Sequence, residues 1–172
     1  MVQSYLMKPE VLKTVKKVHD LFSSNRFTLS VAESCTGGLI SHYLTCLPGS
    51  SEFFESGVVA YSEEAKRVIL GISSSFISRY GMISGETAKE MAERIRMFLK
   101  TDYSLSTTGN LGPGVLEGKE KGLVYTAVSR EGNTYVRELI LTSGRMDNKE
   151  EASLSALRFL IESVEGYGKH SG

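Results

Sequence analysis

The sequence predicts an α/β protein, a three-layer α/β/α sandwich around a mixed sheet, on three observations. Short apolar runs of strand length alternate with stretches whose apolar residues recur at helical spacing. Two runs near the C-terminus are separated only by a turn, so part of the sheet is antiparallel. The connections are short, with no internal repeat, low-complexity segment or linker.

The elements follow in order. Pro9 suits the first turn of a helix, and Leu12, Val15, Val18, Leu21 and Phe22 form its apolar stripe, ending near Ser23-Ser24-Asn25. Phe27 to Ala32 reads as a strand, and Leu39, Ile40, Tyr43 and Leu44 mark a helix opening at Gly37-Gly38. Leu47-Pro48-Gly49-Ser50-Ser51 breaks the pattern before a buried strand at Gly57 to Tyr61. Ser62 caps a short helix ended by Gly71; Ser73 to Tyr80 forms another, closed by Gly81. Ser84 caps a longer helix whose Ala88, Met91, Ala92, Ile95, Phe98 and Leu99 share one face. A third strand, Tyr103 to Thr107, runs into the glycine-rich Thr107 to Gly114, and Leu123 to Val128 and Tyr135 to Leu141 flank the turn Glu131-Gly132-Asn133. Asp147 and Glu150 make a capping box for a last helix with Ala156, Leu157, Leu160, Ile161 and Val164 inward, and a frayed tail follows Gly166.

A length of 172 residues with 41% hydrophobic residues suits one domain with its core over residues 10–165. Lys plus Arg and Asp plus Glu number 20 each, so no net field recruits nucleic acid or an anionic membrane, and a small polar substrate fits better. Two cysteines, Cys35 and Cys46, are too few for a disulfide framework, which points to a cytoplasmic, reducing environment. The chain has neither a membrane-spanning apolar run nor an apolar signal core at its N-terminus.

Chemistry is expected at Ala32-Glu33-Ser34-Cys35-Thr36-Gly37-Gly38, a strand-to-helix turn. Such turns lie outside the carboxyl ends of strands, where unpaired N–H groups stabilise an anion or a developing oxyanion. Each residue also has an ordinary reading. A serine at such a turn caps the helix, an acidic residue there answers the helix dipole, and paired glycines allow tight packing. Cys35 is a rival nucleophile or a small buried hydrophobe. The histidines, His19, His42 and His170, suggest no Ser-His-Asp centre, and no Gly-x-Ser-x-Gly elbow exists. No spacing of His, Cys, Asp and Glu suggests a metal, and the Thr108 to Gly114 loop lacks the Walker lysine, so neither metal nor cofactor is expected.

Several motifs in order carry a resemblance: Ala32 to Gly38, Pro48-Gly49-Ser50-Ser51, Gly57 to Lys66, Gly81 to Ala88 with Met91, Thr108-Gly109 with Gly112-Pro113, and Gly144-Arg145. Over roughly residues 10–165 the chain resembles the C-terminal domain family of competence/damage-inducible protein CinA, which includes stand-alone nicotinamide-nucleotide amidohydrolases. The resemblance implies a mixed, roughly five-stranded sheet, homo-oligomerisation, and hydrolysis of the carboxamide of nicotinamide mononucleotide to nicotinate mononucleotide and ammonia. The N-terminal domain of many relatives has no room in this chain. Asn110-Leu111 and Gly144 stand where the family usually has Ile-Ala and Asp.

The resemblance implies Ser34 as nucleophile, Lys66 as its base and Tyr61 as an auxiliary hydroxyl. Taken alone, Lys66 reads as a solvated helix residue and Tyr61 as a strand-end aromatic. Glu33 would hold the loop. Thr36, Gly37 and Gly38 would offer donors, Thr108, Gly109 and Gly112 the opposite wall, and Arg145 a forked contact to the substrate's phosphate, unless it is a surface charge. A neutral Lys66 requires burial or a nearby cation.

Overall fold

The computed structural model describes residues 7–168. Its sheet has five strands in the order β2-β1-β3-β4-β5. They are β1 (Leu29–Glu33), β2 (Phe54–Val59), β3 (Tyr103–Gly109), β4 (Leu123–Arg130) and β5 (Asn133–Ile140). β1 runs parallel to both β2 and β3, while β4 is antiparallel to β3 and to β5, so the sheet is mixed.

Helices α1 (Pro9–Asn25), α2 (Leu39–Thr45) and α6 (Arg145–Gly168) form one outer layer, and α3 (Glu63–Leu70), α4 (Ser74–Tyr80) and α5 (Gly85–Leu99) form the other. Under the first layer, Val15, Val18 and Phe22 of α1 and Leu157, Leu160 and Val164 of α6 cover Leu29, Val31, Leu105 and Val128. Under the second, Met91 and Ile95 pack with Leu70, Ile72 and Ile77 on Ala32 and Ala60. Every residue of β1 is buried, as expected for a parallel strand covered on both faces. The inward serines of β3 are satisfied by α5: Ser104 Oγ donates to Ala92 O and Ser106 Oγ to Ala88 O, both at 2.6 Å.

The two expected serine caps are present, Ser62 and Ser84 accepting from the N–H groups of Ala65 and Thr87; Ser73, expected as the first residue of its helix, caps it instead by accepting from Phe76 N. Several expectations shift. β1 starts at Leu29, because Phe27 N donates back to Phe22 O and Thr28 N to Asp102 Oδ2. β2 occupies residues 54–59 and ends before Ala60 and Tyr61, whose carbonyls turn toward Lys66. α2 begins at Leu39, after Gly37 and Gly38, which hold φ values of +57° and +91° in the turn. The expected capping box is absent: α6 starts at Arg145, where Asn148 N donates to Gly144 O and Asn148 Oδ1 accepts from Ser143 N, while Glu150 pairs with Lys8. Phe98 faces solvent at 77% exposure instead of joining the inner stripe of α5. Residues beyond Gly168, where most of the expected frayed tail falls, lie outside the described residues.

Candidate active site

The register assembles the site. Glu33 at the end of β1 pairs with Val59 of β2 on one side and Thr107 of β3 on the other, so Ser34 and Ala60 leave the sheet side by side, next to Thr108 near the end of β3. β4 runs the other way, and pairing of Gly109 with Val124 and of Leu123 with Ile140 brings both ends of the 110–122 loop and the chain after β5 to that edge. Segments distant along the sequence therefore meet at the carboxyl ends of the parallel strands.

Ser34 is not a helix cap. Its N–H donates to Thr107 O at 2.9 Å, extending the ladder by one residue, and its Oγ accepts from Lys66 Nζ at 3.0 Å. Ser34 is 7% exposed and Lys66 1%. The ammonium reaches there because α3 turns Lys66 and Leu70, four residues apart, toward the interior. Lys66 Nζ also donates to Ala60 O at 2.9 Å and to Tyr61 O at 3.4 Å, and no ion pair forms on it among the described residues. Burial lowers its pKa from 10.5 to about 8, with Cys35 and Glu117 acting more weakly in the opposite direction.

Glu33 holds the turn. Its fully buried carboxylate accepts five hydrogen bonds: from Thr36 Oγ1, Gly38 N and Ile40 N on one oxygen, and from Ser41 N and Oγ on the other. These satisfy N–H groups at the start of α2 that a capping serine would otherwise take, which leaves Ser34 Oγ to Lys66. Thr36 Oγ1 lies 2.7 Å from Thr107 Oγ1, fixing the turn to β3. Gly37 N donates to Ser34 O, while the N–H groups of Cys35 and Thr36 donate to no backbone carbonyl among the described residues.

The opposite wall is built from the glycine-rich loop. Thr108 Oγ1 donates to Met82 O at 2.6 Å, and Gly109 lies against β4. Gly112 O accepts from Arg145 Nη1, and Arg145 Nη2 donates to the Tyr61 phenol oxygen at 2.8 Å. One guanidinium thus links the ends of three expected motifs. Two residues that sequence reasoning missed organise this wall. Asn110 is buried, with Nδ2 donating to Gly114 O and Lys119 O and Oδ1 accepting from Gly112 N. Glu117, at φ +52°, accepts from Met82 N and Ile83 N, tying the loop to the segment before α5, and its charge acts on Lys66. The departure at Asn110 was visible in the sequence, but no local signal marked Glu117.

The alternatives are placed elsewhere. Cys35 is buried with Leu111, Val124 and Ala152, and burial pushes its thiol up to about 12, which leaves no thiolate near neutral pH. His19 bonds Leu44 O, and His42 faces outward beside Cys46; His170 lies outside the described residues. Among the described residues no group of three or more His, Cys, Asp or Glu side chains is placed to hold a metal ion, and no helix is long and apolar enough to cross a membrane.

Comparison with known proteins identifies the family and the fold. Residues 12–164 match the family model described as the CinA C-terminal domain. A competence-damage inducible protein of Caldanaerobacter subterraneus subsp. tengcongensis is 44% identical over 147 residues, which is 85% of this chain and 36% of that protein. A CinA-like protein of Amoebophilus asiaticus is 40% identical over 85% of this chain and 35% of its own length, so the chain spans about a third of these relatives. Among solved structures, the competence/damage inducible protein CihA of Agrobacterium tumefaciens superposes with a TM-score of 0.88 at 31% identity, covering 93% of this chain and 98% of that one. The competence damage-inducible protein A of Klebsiella pneumoniae gives 0.88 at 26% identity, over 90% and 97%.

Proposed function

Since the chain belongs to the CinA C-terminal domain family, we propose that it is a nicotinamide-nucleotide amidohydrolase acting through Ser34 and Lys66. The arrangement around the Lys66 nitrogen carries this reading. Two of its three outward directions end on the carbonyls of Ala60 and Tyr61 and the third on Ser34 Oγ. When the amine is neutral, two N–H bonds satisfy the carbonyls and the lone pair faces the Ser34 hydroxyl, as a general base must.

In this reading Ser34 Oγ attacks the carboxamide carbon while its proton passes to Lys66. The tetrahedral oxyanion is stabilised by N–H groups of the turn after Ser34. Lys66 returns the proton to the departing nitrogen, ammonia leaves, and an ester remains on Ser34. Water, deprotonated by the same amine, then cleaves the ester to the free carboxylate and restores the Ser34 hydroxyl. Tyr61 accepts from Arg145, so its own O–H points away from the guanidinium and can relay or position a proton. Arg145 uses two of its five N–H donors on Gly112 and Tyr61 and keeps others for the substrate's phosphate. Ammonia release from nicotinamide mononucleotide, measured beside calorimetric binding of the same compound, tests the reading. It expects turnover by the native chain and roughly a thousandfold less, or lower still, from Ser34→Ala, on the scale of losing a nucleophile. Binding without turnover by the native chain would replace it with a nucleotide-binding role.

A further inference from the structure

The first turns of α6 carry a second cation toward the same edge. Lys149 stands four residues after Arg145, so both side chains lie on one face of the helix. A Cβ built on Gly37 would lie 3.3 Å from Lys149 Nζ and 3.7 Å from Cε, which puts the ammonium directly over Gly37, the exposed residue of the turn that follows Ser34. Lys149 is half-buried, and its ammonium has no hydrogen bond or ion pair among the described residues. Of the neighbouring acids on the helix, Glu150 pairs with Lys8 and Glu151 with Arg158, and Asp147, two residues before Lys149, forms no ion pair with it. Two cations one helical turn apart repel each other, and partial burial without a partner adds a desolvation cost. An anion held between them would remove both penalties.

Position identifies that anion. The ends of a turn such as Ser34 to Gly37 lie within about 7 Å of each other, so a ligand whose reacting group meets Ser34 brings its far end to Lys149 and Arg145. We propose that Lys149 is a specificity-determining residue that, together with Arg145, grips the phosphate of the nucleotide substrate and makes the enzyme select the phosphorylated amide over its nucleoside. This rests on the deamidase reading above. A phosphate monoester carries close to two negative charges at neutral pH and presents three acceptor oxygens, enough for an ammonium and a guanidinium fork together. Lys149 touches no reacting atom, so its contribution is to KM and leaves kcat nearly alone.

The test compares ammonia release from nicotinamide mononucleotide and from nicotinamide riboside by the native chain, Lys149→Gln and Lys149→Arg. It is accompanied by calorimetric binding of ribose 5-phosphate and by thermal melting to verify folding. Loss of one charge-assisted hydrogen bond predicts that Lys149→Gln raises KM for the nucleotide about tenfold or more, lowers the preference over the riboside by the same factor, and weakens ribose 5-phosphate binding in parallel. Lys149→Arg restores most of each. A Lys149→Gln variant that melts like the native chain and keeps its nucleotide preference and its ribose 5-phosphate affinity overturns the proposal. A native chain that releases ammonia from neither compound overturns the deamidase reading instead, and ribose 5-phosphate binding then still decides whether Lys149 holds a phosphate.

Discussion

Replacing Lys66 with methionine separates the cost of burying the amine from its use. The folded chain lowers the pKa from 10.5 to about 8. Below pH 8 the amine is protonated in both folded and unfolded chains, and the full penalty of burying a charge is present. Between the two values the unfolded chain holds a proton that the folded chain has released, so native stability rises with pH; above 10.5 the penalty is gone. At 1.36 kcal/mol per unit the whole effect is about 3 kcal/mol, of which roughly 2 to 3 kcal/mol falls between pH 7 and pH 10. The thioether that replaces the amine does not titrate. It leaves the carbonyls of Ala60 and Tyr61 without their donor, a loss of about 1–3 kcal/mol that does not vary with pH and shifts the offset, not the slope. Urea unfolding followed by far-ultraviolet circular dichroism at pH 7, 8, 9 and 10 gives the difference between the two proteins, in which all shared titrations cancel. The native chain should gain on Lys66→Met by about 2 to 3 kcal/mol across that range. A difference that stays flat would mean that Lys66 keeps an ordinary solvated pKa and that its burial carries no charge penalty.

Glu33→Gln places an amide NH₂ among the five donors that now converge on the carboxylate, and should lower stability by about 2–4 kcal/mol in urea titrations while slowing turnover through the displaced Ser34 turn. Gly109→Ala puts a methyl group 2.5 Å from Leu123 O and 2.8 Å from Val124 Cα, both backbone atoms, so the β3–β4 contact must open; a loss of roughly 2 kcal/mol or more in the same titration is expected. Iodoacetamide at pH 8 should modify the exposed Cys46 and spare Cys35 in the folded chain, read by peptide mass, and Cys35→Ala should retain ammonia release.

Local signals located most of the scaffold. The serines at 62, 73 and 84 cap helices because each precedes an apolar face and is followed by an N–H three residues on, a relation contained within a few residues. The same logic misplaced the start of α6, where Asn148, fixed by Ser143 N and Leu111 O, outcompetes the Asp147–Glu150 pattern. It also misread Phe98, whose spacing fits the inner face of α5 but whose position lies at its margin. Ser34 shows where locality ends. Its chemistry and its ordinary capping role look alike in sequence, and only the pairing of Glu33 with Val59 and Thr107, together with the capture of the helix N-terminus by Glu33, decides between them. The second partner of Arg145, the bonds of Asn110 and Glu117, and the ammonium of Lys149 over Gly37 all depend on approaches between separate loops and helices that no periodicity encodes.

In the proposed mechanism the uncharged amine of Lys66 takes the proton of Ser34, and the pH dependence of kcat/KM for ammonia release from nicotinamide mononucleotide reads that step. The rate should rise tenfold per pH unit below an apparent pKa of about 8 and level off above it. A profile that is flat from pH 6 upward, or that climbs without levelling as far as pH 10, would contradict that mechanism.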